Sequence, residues 1–260
     1  MTSLPPRHDV FGCAITVTDV EEVVTHILEP KSTGFTVAIA NVHTVMTSRR
    51  EPWLAEVIAA VDIATPDGVP LVWALRADGL EAVRVTGIDV MTRALDVGRS
   101  LGAKHFFYGS TEPVLEAIVQ EVGERYPGVS IAGTLSPPFR EPTDNDLDDA
   151  VRAITASGAN VVWVGLGMPK QERWMGTMRN RLPGVALIGV GAAFDWLAGT
   201  VPMAPQWMRD RGLEWLFRLV LEPRRLWKRY IYNNPAFLVL LIGRWLKAGA
   251  RRVLKPTSSG

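Results

Sequence analysis

Short runs of β-branched and aromatic residues, each closed by a turn and followed by a helix-length amphipathic segment, recur between residues 35 and 190 and leave little freedom in the fold. Residues 35–40 (FTVAIA), 61–64, 105–108 (HFFY), 129–132, 161–164 and 185–190 read as strands. Residues 52–60, 69–77, 88–98, 112–125, 143–156 and 171–180 read as helices, with Thr111 placed to cap the helix after HFFY. Parallel neighbours need a crossover long enough to hold a helix, so this alternation implies βαβ units. The expected fold is α/β: a Rossmann-like, mostly parallel sheet with helices on both faces over residues 1–200, and a helical, basic C-terminal appendage over 201–260.

In such sheets ligands sit outside the carboxyl ends of the strands. Residues 161–172, VVWVGLGMPKQE, form one such corner: a buried strand, a turn at Gly165 and Gly167, and a helix start carrying Lys170, Gln171 and Glu172. These supply a cation, an amide and a carboxylate where unpaired backbone N–H groups and the helix dipole favour an anion. A solvated helix start explains the same residues equally well. A second glycine turn, Gly189-Val-Gly191, with Phe194 and Asp195 behind it, would flank the same crevice. Strand ends at Asn41 to Thr44 and at Gly109-Ser110 add polar exits. Pro66-Asp67-Gly68 is turn chemistry, so Asp67 is either a turn carboxylate or a general base at a strand end. Arg84, in the loop RVTGID, could hold a phosphate or simply be solvated.

Metal chemistry finds little support. Cys13 and the four histidines, His8, His26, His43 and His105, lack ligand-like spacing. Asp144-Asn145-Asp146 has the spacing by which some sugar transferases hold a metal, but it opens a helix, where acidic residues favour the dipole. No metal and no cofactor are expected. One cysteine excludes an internal disulfide framework, and no signal-like apolar run follows the polar start, so the main body is expected in the cytoplasm.

The net charge of +1 conceals an asymmetry: residues 206–260 hold 12 Lys and Arg against 3 Asp and Glu, leaving 16 against 24 in residues 1–205. Trp207, Trp215, Trp227 and Trp245 interleave with those cations, and Trp196 lies just before. The apolar stretch 235–243 is too short to cross a bilayer and is interrupted by Arg244 and Lys247. It suits an anionic membrane interface, or docking on the chain's own body or on another subunit. Nucleic acid would have no use for FLVLLI, and a homo-oligomer is left open.

Asn41, PDG at 66–68, RVTGID at 84–89, YGS at 108–110, GLGMPKQE at 165–172, GVGAAFDWLAG at 189–199, AP at 204–205 and LEWLFRLVLEPRR at 213–225 occur in one order. Together they resemble the WecG/TagA/CpsF family of bacterial glycosyltransferases (glycosyltransferase family 26), from about Gly12 to about Tyr230. The resemblance implies a membrane-peripheral enzyme at the inner face of the cell membrane. It implies transfer of a hexose, N-acetylmannosamine-type or related, from a UDP-sugar to an undecaprenyl-diphosphate-linked sugar in cell-surface polysaccharide or teichoic acid assembly. By motif, Asp67 matches the carboxylate proposed as catalytic base, Arg84 a cationic site residue and Gln171 a polar ligand contact. Arg218, Arg224, Arg225 and Arg229 match the family's basic appendage. Two departures stand out: Ile39 replaces the common Thr two places before Asn41, leaving Thr44 to supply any hydroxyl, and Met203-Ala204-Pro205 replaces Arg-Ala-Pro.

The expected chemistry is an inverting, metal-independent displacement in which Asp67 deprotonates the acceptor hydroxyl. A non-catalytic, membrane-associated nucleotide-sugar-binding scaffold is the alternative. A nicotinamide-dependent oxidoreductase would want G-x-G-x-x-G, and the 165–170 motif lacks the third glycine.

Overall fold

The computed structural model describes residues 3–253. In chain order its elements are β1 (Arg7–Val10), β2 (Cys13–Thr16), α1 (Val20–Leu28), β3 (Phe35–Ala40), α2 (Val42–Ser48), α3 (Pro52–Ala60), β4 (Ile63–Pro66), α4 (Val69–Ala77), α5 (Gly87–Gly98) and β5 (Lys104–Gly109). There follow α6 (Glu112–Arg125), β6 (Ser130–Leu135), α7 (Asp144–Ser157), β7 (Val161–Gly165), α8 (Lys170–Met178), β8 (Ala186–Gly189), α9 (Ala193–Leu197), α10 (Gln206–Asp210), α11 (Glu214–Leu221) and α12 (Pro223–Val253).

Six strands form one parallel sheet in the order β4-β3-β8-β7-β5-β6, as the alternation requires. Side chains alternate between its faces. Val37, Ile39, Phe107, Trp163 and Ile188 pack under α1, α5, α6 and α9, while Ala38, Ala40, Tyr108, Val164 and Leu187 meet α2, α3, α4, α7 and α8. The crossovers after β5 and β7 leave toward opposite edges, which opens a crevice between those two strand ends. Gly109 and Gly165 pair across it.

The N-terminal hairpin β1–β2 and helix α1 have no counterpart in the sequence-based expectation. The first apolar residues alternate too briefly to announce a hairpin, yet Val10, Cys13 and Ile15 are buried in the core. Helix α2 was hidden as well, because Asn41-Val-His-Thr reads as a polar strand exit. Asn41 and Thr44 instead form a reciprocal capping box that starts the helix.

The C-terminal segment is helical and folds back on the body. The buried stripe of α12 comprises Leu226, Tyr230, Asn233, Phe237 and Leu241, at helical spacing. Phe237 and Leu241 belong to the cluster formed by α2, α3 and α4, and the Phe237 ring meets Phe11 edge-on at 5.2 Å. Arg244 closes the far end by pairing with Asp78 after α4 at 2.5 Å. None of the described helices is long and apolar enough to cross a membrane.

The β5–β7 crevice depends on a close backbone approach. Gly109 has φ +118°, and a Cβ there would lie 2.7 Å from the carbonyl carbon of Gly165. Gly109→Ala should therefore cost about 2–4 kcal/mol, from the backbone conformation and the overlap together. Thermal unfolding should show a Tm lower by about 5–15 °C; an unchanged Tm would contradict this packing.

Candidate active site

Backbone pairing at the end of β4 sets the first part of the site. The Asp67 N–H donates to the Ala40 carbonyl at 2.7 Å, and Gly68, at φ +112°, turns the chain into α4. The loop before α5 is pinned to the same strand end: Val85 N–H donates to Pro66 O at 3.1 Å, and the Thr65 hydroxyl to Val85 O at 3.2 Å. This places Arg84 beside Asp67, Nε to Oδ1 3.7 Å. The helical tail supplies the rest. Glu214 accepts from Arg84 Nη2 at 2.5 Å, and Arg229 donates to Asn41 Oδ1 at 3.2 Å.

A cavity of about 290 Å³ lies between these groups. Its lining joins polar and charged groups, Asn41, Asp67, Arg84, Glu214, Arg218 and Arg229, with the apolar Val69, Trp73, Trp215, Phe237 and Leu238. It is therefore amphipathic, with charge gathered around one carboxylate. A larger polar cavity, about 630 Å³, shares Arg84, Glu214 and Trp73 with it and continues to Thr86, Asp89 and Trp196.

Burial raises the Asp67 pKa to about 6, and the charge of Glu214 pushes the same way, while Arg84, Arg218 and Arg229 oppose it. The side chain keeps 26% of its surface exposed, so a substrate can reach it. At neutral pH it is an ionised base with more proton affinity than an ordinary aspartate.

The glycine crevice is a separate region. Gly165 and Lys170 line a cavity of about 460 Å³ with Tyr108, Ser110, Phe139 and Trp174, and the Lys170 ammonium lies over the Phe139 ring. Gly109, Gly167 and Gly191 take positive φ at the ends of their strands. Gln171 and Glu172 differ from the expected gripping side chains of a helix start: they are 4% and 1% exposed. Gln171 packs under the β8 turn, where Gly189 and Gly191 lack side chains, and its Nε2 donates to Glu172 at 3.1 Å. Burial raises the Glu172 pKa to about 7. Gln171 does not line the Asp67 cavity.

Other expected positions separate by burial. The Thr44 hydroxyl is buried and accepts from the Asn41 N–H at 3.2 Å, so it caps a helix. Phe194 is core, its ring filling the space beside Gly165. Asp195 faces the tail, where burial raises its pKa against the pull of Arg225 and Arg218. Arg218 lies over Trp196, Arg225 pairs with Glu222 at 2.7 Å, and Arg224 is exposed. Asp146 is held by Thr143 and Arg140 in the capping box of α7. Among the described residues no group of three or more His, Cys, Asp or Glu could hold a metal ion.

Reading the sequence missed Trp73, His43, Glu214, Tyr230 and Asn233, which line the Asp67 cavity or its rim. Glu214 stands inside the quoted LEWLFR motif, but nothing local tells that its partner is Arg84.

The sequence model of the family described as "Glycosyl transferase WecG/TagA/CpsF family" matches residues 8–251. The chain is 28% identical over 207 residues, 79% of its length and 78% of the relative's, to an N-acetylglucosaminyldiphosphoundecaprenol N-acetyl-beta-D-mannosaminyltransferase of Bacillus subtilis (strain 168). It is 29% identical over 211 residues, 80% and 79% of the two lengths, to the protein of the same name in Bacillus spizizenii (strain ATCC 23059 / NRRL B-14472 / W23).

Titration of Asp67 checks the electrostatics without reference to any activity. Carboxyl-carbon NMR should find its midpoint near pH 6. In Arg84→Gln the midpoint should move up, because a cation that favours the carboxylate is gone and Glu214 is left facing it. A wild-type Asp67 titrating with the surface carboxylates would remove the burial on which its basicity rests.

Proposed function

The chain belongs to the glycosyl transferase WecG/TagA/CpsF family, and from this premise we propose that it transfers an N-acetylmannosamine-type sugar from a UDP-sugar to a polyprenyl-diphosphate-linked N-acetylglucosamine, with inversion. It is a glycosyltransferase; the choice of sugars follows the names of its relatives. The amphipathic cavity at Asp67 is the observation that carries the reading, since the acceptor is itself amphipathic. Its sugar hydroxyl meets Asp67, its diphosphate meets Arg218 and Arg229, and its first isoprene carbons lie along Trp73, Trp215, Phe237 and Leu238.

In the reaction the acceptor hydroxyl oxygen forms a bond to the anomeric carbon of the donor. The bond from that carbon to the UDP oxygen breaks, its electron pair leaves with UDP, and the hydroxyl proton passes to Asp67. A single carboxylate suffices for such a displacement. The donor sugar approaches from the larger polar cavity, which shares Arg84, Glu214 and Trp73 with the Asp67 cavity, whereas the cavity lined by Gly165 and Lys170 shares no residue with either. Gln171 packs against the β8 turn, and Glu172 accepts from its amide.

The tail also presents an apolar face to its surroundings. Trp227, Ile231, Leu238, Ile242 and Trp245 are exposed along one stripe of α12, with Val220 and Leu221 exposed on α11. Arg224, Arg225, Lys228 and Lys247 are exposed on the same helix. This arrangement suits an anionic bilayer surface at the inner face of the cell membrane, where a polyprenyl acceptor is embedded.

Two experiments test the reading. With a short-chain polyprenyl-diphosphate-N-acetylglucosamine acceptor and a panel of UDP-sugars, mass spectrometry should detect one added N-acetylhexosamine. Asp67→Asn should lower kcat by at least about 100-fold while UDP affinity stays within about threefold. Equal turnover by that variant would assign the base to another group, and UDP-sugar binding with no product from the wild type would leave a binding scaffold. On anionic vesicles, Ile242→Asp together with Leu246→Asp should weaken binding by at least about tenfold, because exposed apolar surface is replaced by charge. Undiminished, salt-insensitive binding would remove this face from membrane contact.

A further inference from the structure

His43 lines the Asp67 cavity, and its protonation can be read from its neighbours. Arg50 donates through both Nη1 and Nη2 to Oδ1 of Asn233 on α12, each at 3.1 Å. A guanidinium has no acceptor, so the Asn233 amide must turn its oxygen to Arg50 and its NH2 to His43. The Asn233 Nδ2 lies 2.9 Å from His43 Nδ1, and the Thr47 hydroxyl lies 3.2 Å from the same atom. The NH2 can only donate, so Nδ1 accepts, the Thr47 hydroxyl turns to donate to it as well, and the ring proton sits on Nε2. The Asn233 side chain is 2% exposed, so water does not compete for this arrangement.

The imidazolium is disfavoured from every side. Burial lowers the His43 pKa most, and the charges facing it are the cations Arg229 and Arg50, which together bring it to about 3. His43 is thus neither an acid nor a base near neutrality. It is a neutral N–H donor at the cavity wall, and the described residues make no hydrogen bond to Nε2.

Resting on the reading of the cavity as the acceptor site, we propose that His43 is an acceptor-binding residue whose Nε2–H donates to an oxygen of the acceptor's diphosphate, and that Asn233 is the positioning residue that holds it in this tautomer. Arg229 supplies charge at the same place and contacts the residue that caps α2. A neutral donor adds direction to that grip without another cation near Asp67, which would favour the ionised carboxylate and weaken it as a base. Because Asn233 lies on α12, the tautomer is enforced when the tail is docked.

Nitrogen-15 NMR of histidine-labelled protein, which has only four histidines to assign, tests the tautomer directly. Wild-type His43 should show a neutral ring with a proton on Nε2 from pH 5 to 8. Asn233→Asp places a carboxylate opposite Nδ1, so that nitrogen should become protonated and the ring should titrate within this range. In transfer assays His43→Ala should raise acceptor KM about 10- to 100-fold, as expected for a lost hydrogen bond to a charged group. Donor KM and kcat should stay within about threefold. His43→Gln, whose side-chain amide nitrogen falls near the Nε2 position, should recover most of the acceptor affinity. A wild-type ring protonated on Nδ1, an unchanged acceptor KM in His43→Ala, or a rise in donor KM instead would each overturn the proposal. A wild type that transfers no sugar overturns the acceptor-site reading itself, and the acceptor role with it; normal transfer with an indifferent His43→Ala overturns only the role of His43.

Discussion

The Arg84 guanidinium ties the two ends of the chain together at the site. It stands between Asp67 after β4 and Glu214 at the start of α11, and among the described residues neither carboxylate has another cation as close. At an effective dielectric of about 20, one such contact is worth about 4 kcal/mol of Coulomb attraction, and desolvation of the charges offsets much of it. The net contribution to stability is therefore small, but the arrangement is specific. Without Arg84, two partly buried carboxylates would face each other, and the tail would lose its polar reason to lie where it does. Burial raises the Asp67 pKa while Arg84 limits the rise, so that the group is basic and still ionised at neutral pH.

Helix α12 carries two apolar stripes with different partners. Phe237 and Leu241 complete a core cluster whose other members include residues of β1 to β4, α2, α3 and α4. Leu238, Val239, Ile242 and Trp245, one or a few residues away, face outward. Of the alternatives weighed for this segment, docking on its own domain is met by the inner stripe, and the outer stripe is the surface that the proposed membrane contact would use. Hydrophobic content alone could not separate them, because apolar residues on two stripes give a helix no single preferred face.

The parallel sheet was legible because strands buried on both faces are nearly continuous apolar runs, and such runs are distinctive when helices separate them. Residues 129–132 were placed one residue early, and the strand runs on to Leu135, because its side chains are only partly buried and its pattern correspondingly weak. Asp67 and Arg84 could be singled out from turn chemistry, a loop arginine and motif resemblance. The pairing of Arg84 with Glu214 spans 130 residues, and no periodicity reports such a distance. At the helix start, Gln171 and Glu172 differ from either reading for a local reason. Polar residues after a glycine turn read as ligand-gripping or as solvated, whereas here the missing side chains of Gly189 and Gly191 leave space that the Gln171 amide fills.

A site assembled from both ends of the chain has a thermodynamic consequence. A ligand shifts an equilibrium only through a difference in its affinity for the two states. A bilayer touching the outer stripe of α12 binds the docked and undocked helix alike through that stripe. It gains additional contact from the undocked form, in which Phe237 and Leu241 would also be free to enter the interface. A membrane bound as proposed would therefore favour release of the tail. An acceptor diphosphate bound as proposed would work the other way, because Arg218 and Arg229 from the tail line the same cavity as Asp67, Asn41 and His43 from the body. Only the docked form offers all of these groups at once, so on that proposal the substrate would drive closure and the bilayer would oppose it.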